Sequence, residues 1–107
     1  MQFTTIENAA KPVTESQPDM AVANALTDAA AGDVDALYDL GVMYSTASHG
    51  CACDLIEAHK WFNLAASKGH EEAGWCRADI ADEMSAREIS EAQRQAREWL
   101  AEGRRAA

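Results

Sequence analysis

Small and large apolar residues recur at spacings of three and four between Ala36 and Gly69, and the two halves of that stretch read as one helical hairpin. In the first half Ala36, Leu40, Gly41 and Tyr44 fall on one face at 3.6 residues per turn. A glycine inside a helix costs roughly 1 kcal/mol against alanine, so Gly41 between Leu40 and Tyr44 implies that another backbone passes close by. In the second half Ala58, Trp61, Phe62 and Ala65 form the facing stripe. Asp54 stands as its N-cap with Glu57 three residues on, and Gly69 follows its end.

The pattern continues on both sides. Residues 1–17 are polar, show no periodicity and are followed at once by Pro18; they read as a flexible tail, with Phe3 and Ile6 as its candidate points of attachment. Ser16, Pro18 and Asp19 announce a first helix over about residues 18–31, with Val22, Leu26, Ala29 and Ala30 as its apolar stripe. Gly32 stops it, and Asp33 caps a second helix running to about Ser45. A third is expected over about 54–68. The fourth spans about 70–84 with Ala73, Cys76, Ile80 and Met84 inward. Ser85 and Glu88 form a capping box that opens a fifth, running to about Glu102, with Ile89, Ala92, Ala96, Trp99 and Leu100 inward. The opposite face of this last helix, with Arg87, Glu91, Arg94, Arg97 and Glu98, is charged throughout, as a terminal helix with nothing stacked beyond it requires.

Two offsets relate the second half of this pattern to the first. Ala73, Ala78 and Ala81 repeat the spacing of Ala36, Gly41 and Tyr44 at 37 residues, and the segment from Glu91 to Gly103 aligns without a gap to that from Glu57 to Gly69 at 34. A period in the mid-thirties with two helices per unit predicts an α/α solenoid of hairpins, each burying its apolar face against its neighbours. The expected fold class is therefore all-α: a superhelix of about five antiparallel helices in one domain over 18–105, with repeats over about 33–69 and 70–103 after an extra amino-terminal helix.

The order Ala36-x3-Leu40-Gly41-x2-Tyr44, then Gly50, Asp54, Ala58-x2-Trp61-x3-Ala65-Ala66-x2-Gly69, resembles the Sel-one-like repeat, a relative of the tetratricopeptide repeat. Its loop carries one extra residue, and Ala47 stands where a glycine is usual. The second unit departs further. Arg77 replaces the leucine, Ala78 the glycine and Ala81 the tyrosine, while Gln95 and Trp99 stand opposite Trp61 and Ala65. The resemblance covers roughly residues 33–103. It implies an adaptor or scaffold that mediates protein–protein contact, often in bacterial signalling or envelope processes.

Composition narrows the function classes. The chain of 107 residues is rich in alanine and poor in proline, and its formal net charge of −9 argues against binding a phosphate backbone. Eleven acidic and three basic residues lie between Met1 and Cys76, against seven and six from Arg77 onward, so the amino-terminal portion carries most of the negative field. No run is apolar enough to insert into a bilayer, and the start lacks a basic and apolar leader, so a cytoplasmic protein is expected. Three cysteines fit reduced thiols better than a disulfide framework.

Candidate chemistry concentrates in the loop His49-Gly50-Cys51-Ala52-Cys53. A histidine and two thiols within five residues could supply zinc ligands, which need four donors or three and a water; His49, Cys51 and Cys53 are thus the candidate metal or thiol site. In the alternative reading Cys51 is a small buried hydrophobe between the helices. His59, off the apolar stripe beside Lys60, is expected at the surface, and His70 as a turn residue. There is no phosphate loop, metalloprotease helix or nucleophile elbow, so neither catalysis nor a cofactor is expected.

Recognition is the remaining class. Tyr38 and Trp75 occupy the same position in the two units, and in related solenoids the first helices of the hairpins line the concave face. Tyr38, Asp39, Val42, Trp75, Asp79 and Asp82 are therefore the candidate partner-binding residues, an aromatic pair with an acidic rim that would take a protein or peptide. The same aromatics could instead pack one unit on the next. The runner-up functions are a metal- or thiol-based regulatory site at the loop and a self-associating structural protein, a homo-oligomer whose second copy covers an apolar flank.

Overall fold

The computed structural model describes residues 20–106, with side chains as far as Gly103. The expected tail, with Phe3 and Ile6, and the opening signal of the first helix at Ser16 to Asp19 lie outside the described residues. All regular secondary structure of the described residues is helical: α1 (Met20–Ala30), α2 (Val34–Thr46), α3 (Leu55–Ser67), α4 (Glu71–Ala81) and α5 (Ala86–Ala106).

The local signals that start these helices work as their chemistry requires. Asp33 Oδ1 accepts from the backbone N–H groups of Asp35 and Ala36 at the head of α2. Ser85 and Glu88 close a reciprocal box at the head of α5, Ser85 N–H donating to Glu88 Oε1 at 2.8 Å and Glu88 N–H to Ser85 Oγ at 3.1 Å. Only half a box forms on α3. Asp54 Oδ1 accepts from Glu57 N–H at 3.1 Å, but Asp54 N–H donates to Tyr44 O, and the Glu57 carboxylate instead takes Trp61 Nε1–H and Lys60 Nζ. Gly32 and Gly69 both follow helix ends at φ +100°, a conformation that favours glycine. Gly103 has no such role, since α5 continues through it to Ala106.

Packing is centred on α3, which lies against α2, α4 and α5. Leu37, Leu40, Ala58, Phe62, Leu64 and Ala65 are at most 1% exposed and form the middle of the core. Gly41 belongs there for a reason other than the expected one. A Cβ on Gly41 would meet ring carbons of Phe62 at 2.5 Å, so a side chain rather than a second backbone occupies its space. On α1 the buried residues are Val22, Ala25 and Ala29, whereas Leu26 and Ala30 are exposed, so its inner face is turned from the expected stripe.

The second pair of helices does not copy the first. The principal neighbour of α5 is α3, not α4. Ala92 and Ala96, both buried, let the α5 backbone approach, and Trp99 sets its ring edge against Trp61 with centroids 4.8 Å apart at 80°. α4 offers little to hold a partner. Ala73 is its one buried residue, Cys76 and Ile80 are half-buried, Met84 lies beyond its end at Ala81 rather than on it, and Arg77, 37 residues after Leu40, reaches across to Asn63 Oδ1 at 2.6 Å.

Candidate functional site

The six residues expected to bind a partner separate into two groups. Tyr38, Asp39 and Val42 on α2 line a shallow groove with Met43, Ser48 and His49. Trp75, Asp79 and Asp82 stand on the exposed face of α4.

Tyr38 is a packing residue. Its ring stacks on His70 with centroids 4.4 Å apart and planes 11° from parallel, and it leans on Phe62 at 5.7 Å. Burial, and the nearby Cys76 and Glu72, push the phenol up to about 12, so its hydroxyl stays protonated toward those two side chains. The residue thus joins α2 and α3 to the start of α4.

His70, expected in a turn, is the cap of α4. Its Nδ1 accepts from Ala73 N–H at 3.1 Å, which places the proton of the neutral ring on Nε2, 4.0 Å from Asp35 Oδ1. Neither His70 nor Glu72 was among the expected site residues. Glu72, three residues before Trp75 on one helix, was within reach of spacing alone; the stacking of His70 on Tyr38 was not.

Trp75 differs from Tyr38 in kind: it is 67% exposed. Glu72 lies one turn before it and Asp79 one turn after, both exposed, with Glu71 and Asp82 further along the same face. An indole left in water between carboxylates contributes nothing to the core.

The loop does not gather its donors. Cys51 is buried in the core cluster beside Tyr44, whose phenol is pushed up by burial first and by Cys51, Glu57 and Asp54 after it. Cys53 is exposed with Sγ 3.8 Å from Ser45 O, and His49 is exposed with a left-handed backbone at φ 55°. Among the described residues no three His, Cys, Asp or Glu side chains converge so as to hold a metal ion.

His59 corrects a second expectation. It is only 3% exposed, facing the α3–α4 seam, with no hydrogen-bond partner for Nδ1. Burial lowers its pKa, and the Arg77 guanidinium lowers it further. The apolar-stripe rule missed it because α3 is covered on three sides, so positions off the main stripe are also enclosed.

Among the described residues no helix is long and apolar enough to cross a membrane. Compared with models of protein families, with curated proteins and with solved structures, the chain finds no match, so the Sel-one-like resemblance rests on the residues that carry it.

Proposed function

We propose that this chain is a non-catalytic interaction module, a short Sel-one-like helical scaffold that holds a protein or peptide segment on the exposed face of α4, beside the point where Tyr38 of α2 stacks on His70. The observation that carries the reading is Trp75, a large aromatic 67% exposed on a folded helix. Exposed aromatics surrounded by polar groups are the residue type that dominates binding energy at protein interfaces. Tyr38, by its packing, serves as the support beneath that face.

The test is affinity capture from the lysate of the source cell, with Trp75→Ala beside the natural chain. Because Tyr38 is packed and Trp75 is not, the single substitution at Trp75 separates binding from folding: its melting curve is expected to shift by about 0.5 kcal/mol or less. The reading expects one protein recovered by the natural chain and lost with Trp75→Ala. Equal recovery by both would overturn the proposed surface.

A further inference from the structure

We infer that the segment received by the α4 face is cationic, and specifically that it presents arginine to Trp75. This rests on the interaction-module reading and adds the chemistry of the partner. Six carboxylates stand exposed on the two helices, Asp35 and Asp39 on α2 and Glu71, Glu72, Asp79 and Asp82 along α4 to its C-cap. α2 has no Lys or Arg, and the one on α4, Arg77, is half-buried and bonded to Asn63. Among the described residues no Lys or Arg pairs with these carboxylates; His70 Nε2 lies 4.0 Å from Asp35 Oδ1.

The charged face of α5 shows what a self-contained surface looks like in the same molecule. There Arg94 donates to Glu91 and to Glu98 at 2.6 Å, and its hydrogen bonds hold the Glu91 carboxyl down at about 2. Among the described residues the α4 face has no such internal neutralisation, so its charges repel one another until an outside cation arrives.

Trp75 decides which cation fits. Glu72 and Asp79 flank the indole by one turn on either side. A planar guanidinium can stack on an indole face while its N–H groups fork to a carboxylate, a combination a compact ammonium does not match. A second copy of this chain, with net charge −9, would meet the face with like charge.

The probe is a short fluorescein-labelled peptide of alternating arginine and glycine, with lysine and glutamate counterparts of equal length, titrated by anisotropy at low and moderate salt. Arginine is expected to bind more tightly than lysine, glutamate not to bind, and affinity to fall with salt. Trp75→Ala is expected to weaken the arginine peptide about tenfold, and Glu72→Gln or Asp79→Asn about threefold each. Glu102→Gln on α5 removes the same charge elsewhere and is expected to change little. Equal weakening by Glu102→Gln and Asp79→Asn, or indifference to Trp75→Ala, would reduce the effect to the overall field and overturn the inference. A partner captured through Trp75 whose binding ignores salt, Glu72→Gln and Asp79→Asn would overturn the cationic ligand while leaving the interaction module standing.

Discussion

Gly41 shows how one missing methyl group sets the approach of two helices. The Phe62 ring fills the space where a side chain would begin, so Gly41→Ala has two opposed effects. Alanine favours the helix by about 1 kcal/mol, while overpacking against a buried ring costs about 1–3 kcal/mol. Phe62 is 1% exposed and has nowhere to move, so the clash prevails. Gly41→Ala is expected to lower Tm by several degrees, about 5 °C, in a thermal melt followed by circular dichroism. A rise in Tm would show that the ring yields.

At His59 the burial has a pH consequence. With its folded pKa lowered, the unfolded chain binds the proton more readily, so stability rises with pH across the window between the two values. The contribution is complete above the ordinary value of about 6.5 and is lost as pH falls through it. Thermal melts at about pH 7.5 and about pH 5.5 are expected to show a larger loss for the natural chain than for His59→Leu, whose side chain carries no proton. An identical loss in both would assign the acid sensitivity to other groups.

Among the elements, the turn between α2 and α3 and the placement of α5 depend on different information. Ala47 closes α2 with φ 56° and ψ 42°, its N–H donating to Met43 O, in a left-handed conformation that favours glycine. An L-residue there carries about 1–2 kcal/mol of backbone strain, partly offset by the greater freedom glycine loses on folding. Ala47→Gly is therefore expected to stabilise the chain by up to about 1 kcal/mol in urea titration, and a lower midpoint would contradict the strain. α5 depends on Trp99 against Trp61. Trp99→Ala, costing about 2–4 kcal/mol at a half-buried site, is expected to expose α5 amides to hydrogen exchange while those of α2 and α3 stay protected. Loss of protection everywhere at once would make α5 part of a single cooperative unit.

For the whole molecule, charge and shape divide the surface. α5 neutralises itself through Arg94, whereas the α4 face keeps its carboxylates in water around Trp75. What the sequence alone determined is what is encoded within a few residues: the five helices, the caps at Asp33, Asp54 and Ser85, the turns at Gly32 and Gly69, and the acidic balance. Each follows from spacing, capping chemistry or composition, and none needs a distant partner. Tertiary structure decided the rest. Trp99 and Ala96 bring α5 to α3 although the repeat spacing pairs it with α4, because a nearly uncovered helix with one buried residue cannot outcompete a helix that offers Trp61. The same packing encloses His59, turns Leu26 outward, and makes Tyr38 a support while Trp75, 37 residues on, stays in solvent. Which face of a helix is buried is fixed by the sum of contacts from all its neighbours, and that sum is not written in any one stretch of chain.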